Sequence, residues 1–548
     1  MITLRSLSQA ILQHAAAVCG LSLEALTATG ATVSLIDPNS PHTGDVTTNV
    51  AMTVARALKQ PPRAIAEKII ASLSLPTITH AEIAGPGFIN LTIAPSFWQG
   101  CVAAITEAPA TYFKQELAIT PSSYLIEFVS ANPTGPLHLG HGRNAIIGDV
   151  LATVLQYAGH TVQREFYIND AGNQMAKLGE SLKARCQELS GIASAIPEEG
   201  YHGEYLIEIA RHCIEQHGTA IVEQPISFFT QYAKEALLAQ QAEELKEYGV
   251  TMDSWFSELS LHRDGSIDHV LTDLQKRGYL YEKDGALWFQ STAFGDDKDR
   301  VIRKADGALT YIAPDIAYHA HKFSRGFARL IDIVGQDHHG YILRLKGTLT
   351  ALGYNADHLD VILYQLVSLK QGEAPIKMSK RSGQFVGLHE VIETVGVDAA
   401  RFFFLHKKAD AHLEIDIDIA LKKTQENPVF YLQYAYVRTV SIAEKAASAG
   451  FTPQADAAQW STSELLVIKK ILSLTLALKA VCEQYATHTL AVYALDLAQT
   501  FHAFYTNNRI IDDAQPAITQ RRLALVTLVH HTLGLTLDLL GLSRPTRM

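Results

Sequence analysis

The sequence predicts an α/β protein: a Rossmann-like parallel-sheet domain interrupted by an insert, an α+β segment before it and an all-α helical bundle after it. Three observations carry this expectation. Residues 123–130 read Ser-Tyr-Leu-Ile-Glu-Phe-Val-Ser, apolar and rich in aromatic and β-branched types, as a buried strand should be. A helical pattern then begins at Leu137, with Ile146, Ile147, Val150, Leu151, Val154 and Leu155 on one face, and Thr161–Ile168 can form the next strand. That is a βαβ unit, which implies a parallel sheet. Far downstream, residues 465–476 and 523–540 supply long apolar faces suited to a helical bundle.

Taken in order, residues 1–115 hold helical stretches and then strand-like character at residues 78–93. Residues 116–172 form the first half of the parallel-sheet domain. Within it, residues 131–136 read Ala-Asn-Pro-Thr-Gly-Pro, a breaker cluster that must be a loop, and Gly159 closes the helix. Residues 173–304 read as an inserted domain of polar helices, with Tyr-His-Gly-Glu-Tyr at 201–205 inside it. Residues 305–370 return to the sheet through strands at 330–334 and 361–369. Residues 371–425 carry a lysine-containing loop and a connecting segment, and residues 426–548 form the bundle.

Composition bounds the classes. At 548 residues several domains are expected, and 47% hydrophobic content supports substantial cores. No run of about 18 consecutive apolar residues is present, so no membrane span is expected. The first 30 residues lack an export pattern. Cys19, Cys101, Cys186, Cys213 and Cys482 are scattered, which disfavours a disulfide framework or a zinc knuckle and fits a reducing cytoplasm. The net charge is −10. Residues 426–548 hold ten Lys and Arg against nine Asp and Glu, or +1, which leaves −11 on the remainder. Charge alone does not suggest a nucleic-acid partner.

The chemistry is concentrated in two motifs. His138-Leu139-Gly140-His141 stands where the helix begins. Helix N-termini present free N–H groups and partial positive charge, which suits phosphate, and imidazoles there can add hydrogen bonds as charge develops. Gly140 and Gly142 would let a nucleotide approach the backbone. After the strand at 361–369 and a turn cluster at 370–375 comes Lys377-Met378-Ser379-Lys380-Arg381, bracketed by Gly372 and Gly383. Lys377 and Lys380 could close over a triphosphate and stabilise departing pyrophosphate. Together the motifs describe a grip on ATP from both sides. By contrast His319/His321 and His338/His339 have spacings that do not share a helix face, so no protein-held metal is expected. Gly140-His-Gly142 lacks the third glycine of a dinucleotide fingerprint.

Residues 127–144 (Glu-Phe-Val-Ser-Ala-Asn-Pro-Thr-Gly-Pro-Leu-His-Leu-Gly-His-Gly-Arg-Asn) closely resemble the first signature of arginyl-tRNA synthetases, a class I synthetase family. Residues 83–90, 167–174, 252–258, 334–338, 427–435 and 542–548 are similarly family-like, so the resemblance runs along nearly the whole chain. Leu139 stands where the class pattern has Ile, and Arg381 where it has Ser. The resemblance implies a Rossmann-like catalytic domain. It also implies an N-terminal domain that touches the tRNA elbow, an insert that helps hold the acceptor end and a C-terminal anticodon-binding domain.

The implied reaction joins L-arginine to its tRNA through arginyl-adenylate, with ATP and Mg²⁺ as cofactors. The resemblance assigns His138, His141, Lys377 and Lys380 to catalysis. Pro136, Gly140, Gln336, Met378 and Ser379 join them in holding ATP. Glu127, Ser130, Asn132, Tyr311, Asp315 and Gln336, together with His138, match residues that hold arginine. Gln433, Tyr434, Tyr436 and Arg438 are expected to meet tRNA. From the residues themselves, Glu127 is an acid inside an apolar strand, costly unless paired. Asp315 fits a helix N-cap as well as a ligand role. A monomer without DNA or membrane partners is expected. The competing expectation is a non-catalytic RNA-binding paralogue, against which the intact histidines and lysines speak.

Overall fold

The computed structural model describes residues 3–36, 43–372, 374–376, 387–455 and 460–548. Lys377, Met378, Ser379 and Lys380 lie outside the described residues. The chain forms two compact units. One comprises residues 120–422 with 485–488, and the other residues 1–119, 423–484 and 489–548.

The first unit is built on a five-stranded parallel sheet: β1 (Ser123–Glu127), β2 (Thr161–Ile168), β3 (Ser254–Ser257), β4 (Arg329–Gly335) and β5 (Leu359–Tyr364), in the spatial order β5-β4-β1-β2-β3. The order reverses at β1, so β1 and β4 flank the switch point where ligands of open α/β sheets bind. Between β1 and β2 runs α1 (Leu139–Ala158), capped by His138 at one end and by left-handed Gly159 (φ 105°) at the other. Its buried face includes the six apolar residues whose spacing marks it in the sequence.

The expected insert is only partly a separate body. Helices α2 (Asn173–Leu189), α3 (Tyr205–His217) and α4 (Ile226–Glu247) share a core around Leu178, Leu182, Leu206, Phe229 and Leu237. The chain then returns to lay β3 on the sheet edge and builds a small antiparallel sheet from Leu280–Lys283, Ala286–Phe289 and Arg300–Arg303. The helices α5 (Ile312–Ser324) and α6 (His339–Ala351) flank β4 in sequence. The apolar run at 361–369 is not one strand: β5 ends at Tyr364, and Val367–Gln371 pairs in a different sheet with Ala374–Ile376 and Leu413–Asp416. Leu366, at the break, is 72% exposed.

In the second unit, residues 1–119 and the bundle cluster together and not as separate bodies. A four-stranded antiparallel sheet includes the hairpin Ile78–Ala84/Phe88–Ile93, where one strand-like stretch was expected. Helices Pro95–Glu107 and Pro516–Leu540 pack on each other, and Lys469 pairs with Asp45. The apolar stretch at 465–476 breaks into Thr462–Leu472 and a second helix starting at Leu474. Helix Pro516–Leu540 is long and apolar enough to cross a membrane by length and composition, but 72% of its apolar window is buried inside the protein. Glu464, fully buried, accepts from Arg521 and Arg522 and closes the capping box of its helix with Ser461.

Candidate active site at the sheet switch point

The register across the sheet places three acids side by side: Glu165 on β2 faces Glu127 on β1, which faces Asp332 on β4. Three neighbouring carboxylates in a buried sheet demand cations. One face of α5 supplies them. Lys322, with no exposed side-chain surface, donates to Glu127 and, at 2.7 Å, to Asp332. Its ammonium also lies 4.3 Å from the Tyr318 ring centre. Arg325 donates to Glu165 at 2.6 Å, and Tyr318 Oη donates to the same carboxylate at 2.9 Å. His319 Nε2 lies 2.7 Å from Asp332. Burial opposes charge on Asp332, but the Lys322 ammonium and His319 outweigh it and hold the carboxyl well below its usual range. Burial likewise works against charge on Lys322, and Asp332 and Glu127 more than offset it. Glu127, His319 and Asp332 have the spacing of a metal site, but the Lys322 ammonium already bonds two of the three.

Beyond this paired group lie Asp315 and Glu258, which have no lysine or arginine partner among the described residues; Glu258 has only His262, at 3.5 Å. Asp315 is not a helix cap. Tyr311 holds the N-cap position of α5, and Asp315 is the helix's fourth residue, with its carboxylate accepting from Tyr341 Oη at 2.5 Å. Burial raises its pKa to about 6, with Glu127 and Glu258 adding like charge and Tyr341 and His319 opposing the rise. Burial also raises Glu258. Tyr167 is raised by burial first and then by the charges of Glu258, Asp315 and Glu127. A pocket edge with surplus negative charge and phenols is suited to a cation rich in N–H donors.

The loop leaving β1 is unusual. Val129 (φ 68°) and Ser130 (φ 42°) are successive non-glycine residues in the left-handed region. Asn144 of α1 holds this bend, accepting from Val129 N–H at 2.9 Å and donating to Ile333 O of β4 at 2.8 Å. The bend turns Ser130 back on the strand, where its hydroxyl donates to Glu127 at 2.8 Å and accepts from Tyr167 N–H at 3.1 Å. Asn132 donates from its amide to Gln174 at 3.1 Å. Pro136 lies in the loop, half-buried.

His138 and His141 stack, ring centres 3.6 Å apart and 15° from parallel. His138 Nδ1 accepts from Gly140 N–H (3.1 Å) and His141 N–H (3.3 Å), and His141 Nδ1 accepts from His138 N–H (3.3 Å). With Nδ1 as acceptor on both rings, each neutral imidazole carries its proton on Nε2, the donor a phosphate oxygen needs. Glycine at 140 serves this cap, since a Cβ there would lie 2.9 Å from His138 Cε1. At 142 a Cβ would lie 2.5 Å from Leu388 Cδ1.

The structure thus gathers Glu127, Ser130, Asp315 and the loop bearing Asn132 and His138 around the switch point, with Gln336 opening a short 3₁₀ turn after β4. Tyr311 stands apart, 86% exposed, so its ring touches little of the pocket in this conformation. Of the residues expected to meet tRNA, Tyr436 is a correction: it is 6% exposed and stacks on His530, which makes it core. Arg438 is sandwiched between Tyr434 and Tyr505 at 4.6 and 4.3 Å, and Gln433 donates to Ser543. Missing from the sequence expectation were Lys322, Asp332, His319, Glu165, Tyr341 and Asn144. The 315/318/319/322 periodicity of α5 and the acids inside three apolar strands were the available signal.

Comparison with known proteins decides the family. The model "tRNA synthetases class I (R), catalytic domain" matches residues 113–420, more than half the chain. The chain belongs to the class I arginyl-tRNA synthetases. "Arginyl tRNA synthetase N terminal domain" matches residues 6–93 and "DALR anticodon binding domain" residues 432–548. An arginine–tRNA ligase of Desulforamulus reducens is 43% identical over 522 residues, covering 93% of this chain and 93% of that one. One of Geobacillus kaustophilus is 42% identical over 521 residues, again 93% of each. The Thermus thermophilus arginyl-tRNA synthetase structure superposes with TM-score 0.74 at 22% identity, over 99% of this chain and 100% of that one, a likeness of fold.

Proposed function

We propose that the chain is an arginine–tRNA ligase that works in two steps at the β1–β4 switch point. The observation that carries this reading is the acid edge formed by Asp315 and Glu258 next to the Lys322-paired Glu127, beside a helix start capped by two stacked imidazoles. Asp315 and Glu127 take the cationic groups of arginine, while Ser130, Asn132 and Gln336 complete its pocket. The arginine carboxylate attacks the α-phosphorus of ATP, forming the mixed anhydride as pyrophosphate leaves. Nε2–H of His138 and His141 donates to phosphate oxygens, with Gly140 and Pro136 shaping the approach. Lys377 and Lys380, with Met378 and Ser379, act on the leaving pyrophosphate. The terminal hydroxyl of the tRNA then attacks the arginyl carbonyl, and AMP leaves. No protein nucleophile is needed, because the work is positioning and charge stabilisation.

Mg²⁺, when bound, would supply charge neutralisation on the triphosphate. Lys322 already bonds Glu127 and Asp332, so these two acids would not hold the ion, and the triphosphate oxygens would be its ligands. The anticodon stem-loop is read by the bundle, with Tyr434, Arg438 and Gln433 as contacts. The enzyme acts as a monomer in the cytoplasm, with tRNA(Arg) and neither DNA nor a membrane as partner. Exchange of labelled pyrophosphate into ATP, run with each amino acid and with and without tRNA, tests the reading. Exchange should be specific to arginine. A silent RNA-binding paralogue would show none.

A further inference from the structure

The breaker loop between β1 and α1 makes almost no bonds to regular backbone. Its polar groups are met by side chains of the inserted helices. Gln241 of α4, with no exposed surface, donates both amide hydrogens, to Asn132 O at 3.1 Å and to Gly135 O at 2.8 Å. Tyr205, at the start of α3, donates its hydroxyl to Thr134 O at 2.6 Å. Glu244, one turn beyond Gln241, accepts from Leu137 N–H at 3.0 Å. Gln174 of α2 accepts from the Asn132 amide. The segment from Asn132 to Leu137, immediately before His138, is therefore strapped by three helices of the insert.

The strap is not ordinary packing. Gln241 Oε1, buried, has no partner among the described residues. Its orientation is set by the network, because the flipped amide would turn that oxygen against two carbonyl oxygens. A buried amide that gives both hydrogens and leaves its acceptor unmet carries a cost, and such costs concentrate where geometry serves function. Burial also raises the pKa of Glu244, while its bonds from Leu137 N–H and Gln240 oppose the rise.

We propose that Gln241 is a positioning residue for adenylate formation. By fixing the carbonyls of Asn132 and Gly135 it sets the register of His138 and of the Asn132 side chain, so the inserted helices belong to the activation machinery. This rests on the two-step reading above. The loop's contacts to the reacting groups matter most in the transition state, so the effect falls on kcat and not on binding.

The test is pyrophosphate exchange by the full chain with saturating tRNA, for Gln241→Leu and Tyr205→Phe beside the parent protein. Gln241→Leu keeps apolar bulk and removes both donors. Its kcat should fall on the order of 10- to 100-fold, as misplacement of reacting groups by up to about 1 Å can. KM for arginine and ATP should stay within about two-fold. Tyr205→Phe, which removes one hydroxyl and is expected to fold, should show a smaller loss of the same kind. Unchanged kcat in Tyr205→Phe and in any folded Gln241 variant overturns the proposal. So does a loss carried wholly by KM. If the parent exchanges a different amino acid, the arginine reading fails, and the same kcat and KM comparison with that amino acid still decides the role of Gln241.

Discussion

Asp315→Asn should make the protein at least as stable while stripping it of arginine. The carboxyl is moved from 3.8 to about 6 by burial, so its anion is disfavoured in the folded protein by about 3 kcal/mol at neutral pH. The sign follows from the folded value lying above the unfolded one. The folded state holds the proton more tightly, so the penalty is absent below about pH 4. It grows as pH rises towards 6 and is constant above that. Asparagine keeps the size, and its Oδ1 can still accept from Tyr341, so the variant escapes the penalty and retains the bond. Part of the 3 kcal/mol is lost because a neutral acceptor bonds less strongly than a charged one. The expected gain at pH 7 is therefore about 1–2 kcal/mol, shrinking to nothing near pH 4. Arginine binding moves the other way: a charged hydrogen bond contributes about 1.5–3 kcal/mol, so affinity should fall at least about tenfold. The parent's arginine KM should itself rise as pH drops below about 6, and the variant's should not. The assays are thermal melting across pH 4–8 and arginine KM in pyrophosphate exchange. A variant that melts lower at pH 7 with unchanged KM would refute the reasoning and return Asp315 to a purely structural role.

Lys380→Ala should slow single-turnover adenylate formation on the order of 100- to 1000-fold while arginine binding is largely kept, because charge on pyrophosphate grows towards the transition state. An unchanged activation rate would remove it from catalysis. Lys322→Met should cost about 3–5 kcal/mol of stability, since it leaves Glu127 and Asp332 buried without their shared cation. Chemical denaturation measures this, and a neutral result would mean the two acids are met some other way. Deleting residues 426–548 should abolish charging of tRNA. It also strips residues 1–119 of the bundle they cluster with, so melting of the truncated chain is measured beside charging. A truncation that folds and charges normally would sink the anticodon role.

What was legible in the sequence is what short-range pattern controls. The β1–α1–β2 unit appears with Gly159 closing the helix and His138 opening it, because periodicity and caps are local. The apolar run at 361–369 misled, since nothing in its composition shows that the chain changes sheets at Gln365–Leu366. There Arg143, fully buried, donates to Gln365 O at 2.8 Å, and Gln365 N–H bonds Ala409 O. Strand β3 hid inside the expected insert because a four-residue edge strand carries little periodicity. At the site, Glu127 was visible as an acid in an apolar strand, but its partner Lys322 lies 195 residues away on a helix. Only strand order and register bring the two together. Tyr436 misled for the opposite reason: an aromatic on a tRNA-facing domain reads the same whether it meets RNA or His530.

The placement of strain follows from a reaction with no protein nucleophile. Where the protein must only position and polarise, its rate advantage depends on groups that do not reorganise as charge moves. The β1 bend illustrates the arrangement. Val129 and Ser130 each hold a left-handed backbone that costs of order 1 kcal/mol or more. Gly148 is required beneath them, because a Cβ there would lie 2.3 Å from the Phe128 ring. The return is that Ser130 is fixed by two bonds against Glu127 and Tyr167, and Asn144 ties the bend to β4 across the switch point. The same logic separates the acids. Lys322 and Arg325 neutralise those that build the floor, while Asp315 and Glu258 have no lysine or arginine partner among the described residues, Glu258 having only His262. If arginine brings its guanidinium to these acids, as proposed above, it completes the charge balance and relieves the cost of burying them. On the proposed role of Asp315, ligand binding and stability of the fold are coupled through one carboxylate.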